Sequence, residues 1–176
     1  MTMTRTAAWA LMIVSSAGFL GTAQAATNPG PAAPPLRFVF EELVDLADPE
    51  PAGPGPRGAG NRIGLTGGSF AGPQLRGVVV PGGADWQLVR ADGCTEIVAD
   101  YFLRTDDATL IHVRNVGLAC DRAGKQGPYL RATPVFTAPT GKYDWLNKAV
   151  FTSVITPLPD SDGKVRRVAI RFYEVE

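Results

Sequence analysis

Residues 95–116 read TEIVADYFLRTDDATLIHVRNV. Two runs rich in Val, Ile, Thr, Tyr and Phe flank a polar Asp106-Asp107 pair, the pattern of two antiparallel strands joined by a tight turn. With Asp106-Asp107 as a two-residue tip, Thr105 faces Ala108. The successive pairs are then Arg104 with Thr109, Leu103 with Leu110, Phe102 with Ile111 and Tyr101 with His112. A longer loop is the alternative, because Asp-Asp is a weaker primed-turn signal than Asp-Gly. Leu103, Tyr101 and Ala99 alternate with Phe102, Asp100 and Val98, so both faces are mixed and neither is plainly the core. Carried to its open end, the pairing sets Cys94 opposite Ala119, one position from Cys120 and within reach of a disulfide.

Short β-rich runs of the same kind lie on both sides of this hairpin. They are 62–66, 75–80, 86–90, 129–136, 149–156 and 165–174, separated by Gly67-Gly68, Pro81-Gly82-Gly83, Asp92-Gly93 and Asp162-Gly163. Upstream, 36–46 (LRFVFEELVDL) opens with a Leu36, Phe38, Phe40 alternation that suggests a strand, while Glu41-Glu42-Leu43-Val44 is equally compatible with a helix. The stretch 49–60, with eight Gly or Pro among twelve residues, reads as a long loop at the mouth of a pocket. A short helical turn is expected near Trp145. Even strand spacing without long helical patterns predicts an all-β fold: a single antiparallel β-barrel of about eight to nine strands over 36–176.

With 20 Gly and 15 Pro in 176 residues, a helical bundle is excluded, and the length suits one domain. The 17 Lys and Arg balance 17 Asp and Glu, so no basic surplus exists to attract nucleic acid or anionic lipid. Residues 1–25 show one basic residue (Arg5), an apolar stretch from Ala7 to Leu20 and a terminal Ala23-Gln24-Ala25, the form of a secretory signal peptide. The apolar run is too short and too interrupted for a membrane span. The expectation is therefore an exported, periplasmic or secreted protein with a disordered leader over 26–35. In an oxidising compartment the two cysteines, lacking zinc or redox spacing, form one disulfide.

The glycine-dense segment 67–73 (GGSFAGP) leads into 75–87 (LRGVVVPGGADWQ). Together with Thr105-Asp106-Asp107, 128–131 (PYLR), Pro134-x-Phe136 and Tyr143-x-Trp145-Leu146-Asn147, it resembles the family labelled domain of unknown function 3237. The sequence departs from that pattern at Ala108, where Gly is expected, at His112, where Tyr is usual, and at Thr137, where an acidic residue often stands. The resemblance implies a small closed barrel with a cavity. It also implies kinship with fungal members that look like cofactor-free cyclases closing an oxygen heterocycle.

The candidate catalytic residues are Asp85, Tyr101 and His112. Asp85 beside Trp86 suits a desolvated general acid or base, although capping the preceding turn explains it as well. His112, paired with Tyr101, suits a proton relay, and a lone histidine is more often structural. Trp86, Asn115, Tyr129, Arg131, Trp145 and Asn147 are candidate walls and hydrogen-bonding groups for a small apolar or aromatic oxygenated molecule. Asn147 could equally cap the helical turn. Ser69 lacks a G-x-S-x-G context, GGSFAG lacks a βαβ frame, and one histidine cannot build a multi-histidine metal centre. The expected chemistry is cofactor-free proton transfer in an isomerase or cyclase, and a non-catalytic carrier barrel is the alternative.

Overall fold

In the computed structural model, which describes Gly30, residues 32–124 and residues 127–176, β-branched and aromatic runs alternate faces along nine antiparallel strands. The expected signal peptide and half of the expected leader lie outside the described residues. The strands are β1 (Leu36–Leu46), β2 (Glu50–Gly55), β3 (Gly58–Ala71), β4 (Arg76–Val89), β5 (Thr95–Thr105), β6 (Leu110–Cys120), β7 (Tyr129–Thr137), β8 (Val150–Pro159) and β9 (Val165–Val175). Their order is β1-β9-β8-β7-β6-β5-β4-β3-β2, and a further pairing of β1 with β3 closes eight of them into a barrel. The second half of β3 seals against β1, and its first half carries β2 as an added strand.

The count matches the sequence reading for two offsetting reasons. Runs 75–80 and 86–90 form one strand, because Pro81-Gly82-Gly83 is not a turn but a bulge inside β4. There Val80 pairs with Phe102 and Ala84 with Asp100, so two extra residues are absorbed. The Gly/Pro stretch read as a loop contributes β2 and the start of β3, and its first residue, Pro49, lines a cavity together with the preceding Asp48.

The β5–β6 hairpin is registered one residue away from the two-residue-tip pairing. Leu103 faces Ile111, Phe102 faces His112 and Tyr101 faces Val113. The loop holds three residues, with Thr105 bonded to Thr109 across it and Ala108 at φ 66°, the left-handed conformation in which the related family is expected to use Gly. Because side chains alternate, this slip moves His112 to the face opposite Tyr101. It also brings Cys94 and Cys120 into direct opposition, with Cα atoms 4.5 Å apart and a disulfide between them. That separation is typical of a non-hydrogen-bonded antiparallel pair.

The interior is divided along the barrel axis. At one end Phe40, Phe70, Phe136, Phe151 and Phe172 pack ring against ring, with Phe40 and Phe172 stacked at 4.5 Å. The β7–β8 connection covers this end with the expected turn, a 3-10 segment at Asp144–Asn147, and buries Tyr143 and Leu146. At the other end the inward side chains stop short of one another and leave a cavity.

Candidate cavity site

The cavity encloses about 620 Å³, a volume suited to a small molecule. Its walls are largely aliphatic: Val44, Leu46, Ile63, Leu65, Ile97, Ile155, Val168 and Ile170. Polar side chains break this surface, among them Asp85, Tyr101 and Asn115, and Glu42 lies directly behind Tyr101.

Asp85 is carried into the lumen by β4 just beyond the bulge, where it pairs with Ala99 of β5. Gly83 makes this course possible. A Cβ there would lie 2.4 Å from the Cβ of Tyr101, so only glycine lets β4 pass so close to β5. One carboxylate oxygen of Asp85 accepts a 2.7 Å hydrogen bond from Gln87 Nε2, and the other is buried without a partner. Desolvation pushes its pKa up, while the Gln87 bond and a backbone bond from Val98 partly oppose the rise.

Tyr101 stands at the floor. Its hydroxyl donates at 2.7 Å to Glu42 Oε2 of β1, across the lumen. Glu42 is fully buried and its Oε1 has no partner. Burial pushes this carboxyl up to about 8, so it holds a proton at neutral pH, and burial together with the neighbouring Glu42 raises the Tyr101 phenol well above its ordinary value. Asn115, also buried, lines the cavity from β6 and exchanges 3.3 Å hydrogen bonds with Ser153 of β8.

Asp85, Tyr101 and Asn115 are therefore brought to one cavity, and the other candidates are not. His112 lies on the outer face, with Nε2 at 2.8 Å from Asp100 and its ring against Phe102. Trp86 is 54% exposed, outside, beneath the Arg62 guanidinium. Tyr129 does not line the cavity, and the guanidinium groups of Arg122 and Arg131 lie 3.5 and 5.5 Å from its ring centre. Trp145 packs on Phe151 beside the aromatic core, and Asn147 clasps the backbone of Ala138 through two 2.9 Å hydrogen bonds, a structural duty. Glu42, Gln87 and Ser153 escaped the sequence reading. Glu42 alone left a signal: continuing the alternation from Phe40 through position 42 to Val44 sets it on the core face. Among the described residues no group of three or more His, Cys, Asp or Glu side chains is placed to hold a metal ion.

These features define a class: a small closed antiparallel barrel, aromatic at its plugged end and hollow at the other, with two carboxyl groups at the hollow end. The chain belongs to the family described as protein of unknown function DUF3237, whose pattern matches residues 34–175. It is 31% identical over 125 residues to a UPF0311 protein of Clostridium acetobutylicum, covering 64% of this chain and 75% of that one. A β-barrel-like protein of Acinetobacter baumannii superposes with a TM-score of 0.75 at 29% identity, over 84% of this chain and 99% of the other. An enzyme from Penicillium herquei superposes with a TM-score of 0.64 over 83% of this chain and 97% of the other, and at 23% identity it shares the fold alone.

Proposed function

We propose that this barrel is an exported protein that encloses a small, largely apolar oxygenated molecule and moves a proton on it without a cofactor. The observation that carries the reading is the unpartnered oxygen of Asp85 at the wall of an aliphatic cavity. A carboxylate oxygen left without a partner there is costly unless a ligand meets it, and desolvation, which raises the Asp85 pKa above its ordinary value, makes the group a better proton acceptor than a solvated aspartate. Asp85 acts as acid or base, Tyr101 polarises the ligand, Asn115 orients it, and the aliphatic residues supply the walls. His112 has no part in this chemistry because it faces away from the lumen. Nucleic acid and membrane are not its partners, in keeping with the balanced charge. Export is supported by the N-terminal pattern and by the Cys94–Cys120 bridge.

A carrier barrel is the second reading, favoured by walls that are aliphatic almost throughout. Hydrocarbon-framed alcohols, phenols and ketones separate the two when binding is read by native mass spectrometry and conversion by chromatography. Asp85→Asn is expected to retain binding and lose at least a hundredfold in conversion. Binding of these compounds with no conversion by the wild type selects the carrier.

A further inference from the structure

The cavity carries two polar poles of opposite hydrogen-bonding sense. At the side wall a carboxylate only accepts, so Gln87 must turn its amide N–H toward Asp85 and its Oε1 toward Asn61, whose Nδ2 donates at 3.3 Å. That polarity leaves oxygen atoms unpaired along this wall, Asp85 Oδ1 and Asn61 Oδ1. At the floor, the fully buried Glu42 has a single side-chain partner, Tyr101. Burial keeps Glu42 protonated, so its proton can pass to Tyr101 Oη when the phenol turns its own hydrogen to a ligand. Asp85 is only partly buried and accepts a hydrogen bond from Gln87 that favours its charged form, whereas Glu42 is fully buried. Neighbouring acids with environments this different divide naturally into a base and an acid.

Asp85 pairs with Ala99, and Tyr101 follows two residues along the same strand on the same face. Diagonal neighbours of this kind lie roughly 7–8 Å apart, their Cβ atoms somewhat closer. Both side chains line the one cavity, so a ketone bound there can meet the Asp85 carboxylate and the Tyr101 hydroxyl together. The titratable groups at this space are Asp48 and Lys164 at the mouth, Asp85 and Tyr101 on the wall and the protonated Glu42 behind Tyr101, so among the described residues no interior cation awaits an anionic ligand.

Resting on the reading of Asp85 as a general base, we propose that the cavity abstracts a proton from the carbon next to the carbonyl of an apolar ketone, with Tyr101 as the donor to the carbonyl oxygen. Asp85 and Tyr101 are the catalytic residues, and Glu42 is a positioning residue that acts through Tyr101. The Asp85 carboxylate takes the proton, the C–H pair becomes a C=C bond to the carbonyl carbon, and the carbonyl π pair moves onto oxygen under the Tyr101 hydrogen bond. In a β,γ-unsaturated ketone, return of that proton from Asp85 to the far carbon restores the carbonyl and leaves the conjugated isomer. Nothing is oxidised or reduced, and no co-reactant is consumed.

The test uses the disulfide-bonded protein with 3-cyclohexenone, whose conjugation is followed by ultraviolet absorbance. It is paired with 2-decalone in D2O, whose α-hydrogen exchange is followed by NMR, and decalin serves as the oxygen-free binding control. The wild type is expected to accelerate both reactions and to bind 2-decalone at least tenfold tighter than decalin. Asp85→Asn should lose at least a hundredfold in rate with binding retained, and Tyr101→Phe about a hundredfold. Glu42→Gln should lower kcat with KM within twofold, a split that general loosening of the fold would not produce. Near-UV circular dichroism certifies each variant, and Asp85→Asn with Glu42→Gln decides the matter where Tyr101→Phe does not fold. Binding of 2-decalone without faster exchange overturns the ketone chemistry and leaves the cavity reading intact. Failure of both 2-decalone and decalin to bind overturns both. Unchanged kinetics in Glu42→Gln and Tyr101→Phe overturn the donor floor.

Discussion

Glu42 is the position where ordinary residue preferences and the fold disagree most sharply. Glutamate is almost never fully buried unless paired, yet here it lies at 0% exposure with one oxygen unpartnered. In the unfolded chain the group ionises near the ordinary glutamate value of 4.5, and in the folded protein near 8, so the native state binds the extra proton between those limits. Stability contributed by the neutral form is therefore complete below about pH 4.5 and lost progressively as pH rises through about 8. Glu42→Gln should flatten that slope and gain roughly a few kcal/mol relative to wild type by pH 9, with little difference at pH 4. Urea unfolding across this range measures it, and parallel curves would contradict the assignment. Asp85, shifted in the same direction, leaves a shallower residual slope. Asp85 and Tyr101 were legible because an acid and a phenol stand out in apolar strands. Glu42 was not, because Glu41-Glu42 reads as a solvated pair until the alternation of β1 is known to continue through it.

Among the strands, β4 does most to build the site. Its Pro81-Gly82-Gly83 interruption has the composition of a turn, yet pairing with β5 resumes beyond it. The difference lies in what surrounds it: a turn reverses a chain that is free to leave the sheet, whereas here both flanks are held by β3 and β5. Gly83→Ala places a methyl group against the backbone and Cβ of Tyr101 and should destabilise the protein by roughly 1–3 kcal/mol. Because the displaced residue is Tyr101, the same variant should disturb the cavity floor. Thermal denaturation with tyrosine fluorescence reads both effects, and an unchanged melting point would show that β4 has room to move. The β5–β6 hairpin makes the complementary point. Its strands were legible from residue type alone, but a single residue in the loop decided which side chains face each other, and so removed His112 from the lumen and matched Cys94 to Cys120.

Two halves of different character make up the barrel. The aromatic half is packed without gaps around Phe40 and Phe172, both at 0% exposure. Eight strands enclose a lumen that side chains can just fill, and the smaller residues toward the mouth, such as Ala99 and Ala119, leave it unfilled there. Truncation should cost unequally. Phe172→Ala is expected to lose about 3–5 kcal/mol, whereas Ile155→Ala, which enlarges an existing void, should lose on the order of 1 kcal/mol. Equal losses by denaturant unfolding would mean that the hollow half is as well packed as the filled one.

The alternation of β-branched and aromatic residues, the turn chemistry between runs and the scarcity of helical patterns determined an antiparallel barrel, because these are local preferences that each segment expresses alone. The pairing of two cysteines followed almost as directly from their places on one hairpin. Tertiary structure decided which face of each strand looks inward, because that depends on register, bulges and closure between β1 and β3, which no segment encodes by itself. It thereby set Asp85, Tyr101 and Asn115 on the cavity and left His112, Trp86, Tyr129 and Arg131 outside it. It also added Glu42, a residue that acquires its chemistry only when the barrel removes it from water.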